Sequence, residues 1–122
     1  METPSLSELN ILLVEDNPGD RDLIIEYLEA TGNPYLIETA ATLDEALKIA
    51  NSRKINIVLL DLGLPDSSGL STLKKFSLNS PGISIVVLTG LDDEKTGIEA
   101  IREGAQDYLV KGKVNAGFFG LT

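Results

Sequence analysis

Ile11-Leu12-Leu13-Val14-Glu15-Asp16-Asn17 sets four consecutive apolar residues against two acids and a turn former. A strand with one wet face alternates apolar and polar residues. An uninterrupted run reads instead as a strand buried on both faces, the kind found in parallel sheets. Pro18 and Gly19 complete the stop, and Leu23, Ile24, Tyr27 and Leu28 follow at the spacing of one helical face, ending near Gly32.

The same alternation continues along the chain. Tyr35-Leu36-Ile37 reads as a second strand. Thr42 reads as a helix N-cap, with Glu45 three places on completing a capping box, and Leu43, Ala46, Leu47 and Ala50 form the buried stripe. Ile55 to Leu60 is a third strand with Asp61 at its end, and Leu70, Leu73 and Phe76 mark a third helix. Ile83 to Leu88 is a fourth strand with Thr89 at its end. Ile98, Ile101 and Ala105 mark a fourth helix, interrupted by Gly97 and Gly104. Asp107 to Val110 is a fifth strand, followed by Lys111. Strands alternating with helices predict an α/β domain with a parallel sheet covered on both faces. Ligands of such sheets bind at the carboxyl ends of the strands, near the switch in strand order.

Composition narrows the chemistry. The 122 residues suit one domain, 43% of them are hydrophobic, and neither a repeat nor a linker interrupts them. The absence of Cys and His excludes thiolate and imidazole chemistry, leaving carboxylates, Lys, Tyr and hydroxyls. The net charge of −9, without a Lys/Arg cluster, argues against direct nucleic-acid binding. No apolar run approaches the length of a membrane span, and residues 1–10 lack the pattern of a signal peptide, so a cytoplasmic location is expected.

The residues that follow the apolar runs are Glu15, Asp16, Asp61, Thr89 and Lys111. Taken singly, each has an ordinary reading as a cap, a strand terminator, a turn or a solvated surface residue. Taken together, they would meet at one edge of the sheet. Three carboxylates there would repel one another unless a hard cation joined them. Mg2+ suits such oxygen ligands, with Mn2+ as the alternative: Asp16 and Asp61 directly, Glu15 through water. Lys111 and Thr89 would face them with an ammonium and a hydroxyl fit for a phosphoryl oxygen, and a carboxylate such as Asp61 is a competent phosphoryl acceptor.

The chain resembles a response-regulator receiver domain of two-component signalling. The resemblance is carried by Ile11 to Asn17, by Leu59-Leu60-Asp61-Leu62-Gly63-Leu64-Pro65-Asp66-Ser67-Ser68-Gly69, by Val86-Val87-Leu88-Thr89-Gly90 and by Gly104-Ala105-Gln106-Asp107-Tyr108-Leu109-Val110-Lys111. It implies a flavodoxin-like sheet of five parallel strands in the order 2-1-3-4-5. It implies that Asp61 accepts a phosphoryl group from a histidine kinase or phosphotransfer protein, without the domain being an enzyme beyond its own phosphorylation and dephosphorylation. The Gly63 carbonyl would join the metal ligands, and the backbone N–H groups of Leu62, Gly63 and Gly90 would meet the phosphoryl group. Thr89 and Tyr108 would move together, changing the surface of the fourth helix and fifth strand. The alternative for Tyr108 is an ordinary half-buried strand tyrosine.

Two departures stand out. Gly112 replaces the usual Pro after the final Lys, so a more mobile loop is expected there. The fifth helix should be short or missing, because residues 112–122 carry three glycines and little periodicity. The receiver would thus comprise 1–122, with a core at 9–111 and an irregular or truncated tail at 112–122. This is consistent with the N-terminal receiver of a larger signalling protein. Phe118 and Phe119 would pack on the domain or on a second copy, making a homodimer one option. The resemblance implies that Gly63 and Leu91 flank the site where receivers tune the lifetime of the acyl phosphate; neither offers a group to position a water, so slow to intermediate self-dephosphorylation is expected.

Three other functions compete. A haloacid-dehalogenase-type phosphatase needs a second acid two places after Asp61, where Gly63 stands. A flavodoxin-type binding module needs a phosphate-cradling loop where Glu15-Asp16 would repel phosphate. A receiver that serves only as an interaction module would not need the acid pair, Asp61, Thr89 and Lys111 together.

Overall fold

The computed structural model describes residues 8–113. The chain runs β1 (Leu9–Val14), α1 (Pro18–Ala30), β2 (Tyr35–Ala40), α2 (Leu43–Ser52), β3 (Ile57–Asp61), β4 (Gly63–Leu64), β5 (Ser67–Ser68), α3 (Leu70–Asn79), β6 (Ser84–Thr89), α4 (Glu94–Arg102) and β7 (Asp107–Val110), closing in a 3-10 turn at Lys111–Lys113. Five strands form a parallel sheet in the order β2-β1-β3-β6-β7, the flavodoxin-like order expected. The small antiparallel pair β4–β5 was not expected. It is too short to leave a periodic signal. The expected tail structure, with Phe118 and Phe119, lies outside the described residues.

Ile11, Leu12, Leu13 and Val14 are completely buried, as the unbroken apolar run requires. The pleat divides them. Ile11 and Leu13 join Leu59, Val86, Leu88 and Leu109 under Ile24 and Leu28 of α1. Leu12 and Val14 join Val58, Leu60, Ile85 and Val87 on the opposite face, packed with Ala46, Leu73, Phe76 and Ala100 of α2, α3 and α4.

The helix starts follow local chemistry. Asn17 caps α1, its side chain accepting from the Asp20 N–H at 2.9 Å, and Pro18 occupies the first helical position. Thr42 caps α2 by accepting from the Glu45 N–H at 3.1 Å, while the Glu45 carboxylate reaches back to the Ala41 N–H at 2.7 Å. That is a capping box shifted by one residue at its return bond.

Two helical faces differ from expectation. Leu23 is exposed, and α1 docks through the buried Ile24 and Leu28, with Ile25 and Tyr27 partly buried against the same cluster. In α4, Ile98 and Ile101 are exposed, whereas Gly97 and Ala100 are buried. The cause is Tyr108 on β7: a Cβ on Gly97 would lie 2.5 Å from its ring, so only a residue without a side chain lets α4 close over that strand. Gly104, with φ of +114°, turns the chain out of α4.

Candidate functional site

Parallel register aligns the strand ends. β1 lies between β2 and β3, so successive crossovers leave it in opposite directions and open a crevice at the ends of β1 and β3. Val14 pairs with Leu60, which sets Glu15 level with Asp61. Asp61 pairs with Leu88 and Thr89 with Val110, which sets Lys111 just beyond them. Five residues dispersed over nearly a hundred positions thus reach one edge.

Glu15, Asp16 and Asp61 each offer a carboxylate oxygen within 4.8 Å of the others. Glu15 and Asp61 are buried, and Asp16 is exposed. Lys111 joins the group. Its Nζ lies 3.0 Å from Glu15 Oε1, 3.1 Å from Asp61 Oδ2 and 3.1 Å from Asp20 Oδ2. Burial and the Asp61 carboxylate push the Glu15 carboxyl up to about 7, against the pull of Lys111 and of the Asn17 N–H. Burial works against the Lys111 ammonium too. Its bonds to Glu15 and Asp20 and the charge of Asp61 outweigh that burial and hold its pKa above the ordinary lysine value.

The site therefore carries more carboxylate than one ammonium satisfies. An all-oxygen cluster of this kind, with a buried member reluctant to ionise, fits a hard divalent cation, which would be held by Glu15, Asp16 and Asp61.

The loop after β3 supports Asp61. The Gly63 N–H donates to Asp61 Oδ1 at 2.8 Å, and the Leu62 carbonyl accepts from the Gly69 N–H at 2.8 Å. A cavity of about 310 Å³ opens over this loop, lined by Asp61, Leu62, Gly63, Thr89, Gly90 and Lys111, with Asp93 and Thr96 from the start of α4. Thr89 is buried, and its hydroxyl donates to the Leu109 carbonyl at 3.4 Å; it is directed at β7. Tyr108 is half-buried against Gly97, its hydroxyl 3.4 Å from a Glu94 carboxylate oxygen.

A family profile described as "Response regulator receiver domain" matches residues 11–116. The chain belongs to that family. Among relatives of the receiver, the KDP operon transcriptional regulatory protein KdpE of Escherichia coli (strain K12) is 35% identical over 102 residues, covering 84% of this chain and 44% of KdpE. This chain thus spans less than half the length of KdpE. The receiver domain of NtrX from Brucella abortus superposes with a TM-score of 0.77 at 33% identity, covering 88% of each chain. A response regulator from Burkholderia pseudomallei, solved with a phosphorylated aspartic acid, a calcium ion and citrate, superposes with a TM-score of 0.72 at 34% identity, covering 89% of this chain and 62% of that one.

Two residues of the receiver site escaped the sequence reading. Asp20 looks like an acid favouring a helix N-terminus, and nothing local shows that it reaches Lys111, ninety-one positions away. Asp66 looks like a turn residue. Its carboxylate accepts from the Leu43 N–H at 2.8 Å and the Asp44 N–H at 3.0 Å, and so ties the acceptor loop to the start of α2. Gly112 has a packing reason as well: a Cβ there would lie 2.8 Å from the Leu91 side chain. Among the described residues, no helix is long and apolar enough to cross a membrane.

Proposed function

We propose that this receiver is a phosphorylation-dependent switch of cytoplasmic two-component signalling, with Asp61 as the acceptor. The observation that carries this reading is Lys111 Nζ at 3.1 Å from Asp61 Oδ2, within a group where Glu15 and Asp16 also bring carboxylate oxygens within 4.8 Å of Asp61. One Asp61 oxygen can attack a phosphorus atom while an ammonium and a cation site flank the group being transferred. The donor is a phosphohistidine of a histidine kinase or phosphotransfer protein: an Asp61 oxygen forms the P–O bond as the P–N bond breaks, and the imidazole leaves.

A bound Mg2+, with Mn2+ as the alternative, would supply charge neutralisation for the peripheral phosphoryl oxygens. Asp16 and Asp61 would hold it directly, Glu15 would act through water, and the Gly63 carbonyl would be a further ligand. Lys111, beside Asp61, would hold a phosphoryl oxygen. Leu62, Gly63 and Gly90 line the same cavity, and their backbone N–H groups would meet the phosphoryl group. The Gly63 N–H already bonds Asp61 and needs only to exchange a carboxylate oxygen for a phosphoryl oxygen.

Phosphorylation adds nearly two negative charges beside Thr89. Its hydroxyl then leaves the long Leu109 bond for the phosphoryl group, and Tyr108 repacks against α4, which alters the α4–β7 face. That face serves an output segment of a longer protein or a second copy of the chain. The receiver itself makes no contact with nucleic acid, given its net charge of −9.

Incubation with acetyl phosphate and Mg2+ tests the reading. One phosphoryl group per chain is expected, lost in Asp61→Asn and in chelator. An unlabelled wild type would leave the domain as an interaction module only.

A further inference from the structure

Lys111 is held by three carboxylates, and one of them has no place in the proposed chemistry. An ammonium has three N–H donors. Glu15 at 3.0 Å, Asp61 at 3.1 Å and Asp20 at 3.1 Å supply three acceptors. Asp20 stands in the first turn of α1, where Pro18 and the bond from its own N–H to Asn17 at 2.9 Å fix the backbone. Its side chain is 42% exposed and that of Lys111 is 21% exposed, so an isolated pair here would count for little. Its value lies in where it points the lysine.

The other two anchors are drawn into the chemistry. Glu15 belongs to the trio whose oxygens lie within 4.8 Å of one another, so a cation there competes with the ammonium for it. Asp61 would offer its oxygens to the cation and the incoming phosphorus. Asp20 is outside the trio and is recruited by neither event. Lysine has four rotatable side-chain bonds, and without an anchor it spreads over many rotamers.

We infer that Asp20 is a positioning residue for phosphoryl transfer: it keeps Lys111 Nζ beside Asp61 once the cation has engaged Glu15, leaving an N–H to pass from Asp61 Oδ2 to a phosphoryl oxygen. This deepens the phosphoacceptor reading and rests on it.

The test measures the rate of phosphorylation by acetyl phosphate over a range of donor concentrations, at saturating MgCl2, in the 122-residue chain. Asp20→Asn is expected to lower the maximal rate about tenfold, as loss of alignment does, without raising the donor concentration at half saturation. Asp20→Glu is expected to restore most of the rate. In a Lys111→Ala background, Asp20→Asn is expected to add no further loss. The affinity for Mg2+, measured by calorimetry, is expected to change by less than about threefold, because the carboxylate is not a ligand. The inference is overturned if Asp20→Asn reaches the wild-type rate once Mg2+ saturates, which would make Asp20 a mere attractor of cations. It is also overturned if the loss is equal with and without Lys111, or if Asp20→Glu rescues nothing. A wild type that takes no label would instead remove the phosphoacceptor reading, and this inference with it.

Discussion

Glu15 shows how much one buried carboxylate sets the behaviour of the site. Its ordinary value is 4.5, and in the folded, metal-free domain it rises to about 7. Between those limits the folded state binds more protons than the unfolded chain, so its contribution to stability falls as pH rises. The urea midpoint in chelator is therefore expected to be lower at pH 8 than at pH 5.5, and Glu15→Gln is expected to flatten that difference. Added Mg2+ should raise the midpoint more at pH 8, where the carboxylate is ionised. A wild-type midpoint that climbs steadily from pH 5.5 to 8 would contradict this account. The sequence showed that Glu15 and Asp16 follow a buried strand. It did not show that Glu15 would be fully buried and Asp16 exposed, because that division depends on the pleat and on the bond from the Glu15 N–H to the Ala40 carbonyl on β2.

At the scale of the element, α4 is where the sequence was least legible. Periodicity placed Ile98 and Ile101 inward, yet the inner face is Gly97 and Ala100. Hydropathy gives small residues little weight, and the choice of face was made by the Tyr108 ring on another element. In a mid-helix position Gly→Ala ordinarily adds about 1 kcal/mol of stability. Here the new Cβ would lie 2.5 Å from Tyr108 Cδ2 and 2.6 Å from its Cγ, so the ring must shift. Gly97→Ala is therefore expected to destabilise by about 1–2 kcal/mol in urea unfolding followed by circular dichroism. With Tyr108→Ala in place, the same change should recover its helical gain. A plain stabilisation in the wild-type background would show that the ring has room elsewhere.

Across the whole molecule, most of the fold was legible because buried parallel strands announce themselves. Ile11 to Val14, Ile57 to Leu60 and Ser84 to Leu88 are nearly continuous apolar runs, and each ends within a residue of a site group. What stayed hidden was the set of ties between distant segments. Asp66 is the clearest: it satisfies two N–H groups at the start of α2 from a loop more than twenty residues away. Its bonds from Leu43 and Asp44 hold its carboxyl below the usual range. That stabilisation is present above the ordinary Asp value and is lost as pH falls below it. Asp66→Ala is expected to lower stability by about 1 kcal/mol at pH 7, the usual scale of a lost helix cap. Denaturant melts at pH 7 and pH 3 check it, the difference between variant and wild type shrinking at the lower pH. An equal difference at both values would assign the effect to the side chain's bulk rather than its charge.

The glycine–alanine seat of α4 has a mechanical side. Large side chains that interlock hold a helix like teeth, and such a helix moves only if its neighbours change rotamer. Gly97 and Ala100 present a smooth bearing to the sheet, with a single aromatic ring resting against it. A short glide or roll of α4 along that bearing would have no large interlocked side chain of Gly97 or Ala100 to dislodge. In the proposed switch, such a motion would carry Ile98 and Ile101, already outside, across the surface as a pair of markers for a partner.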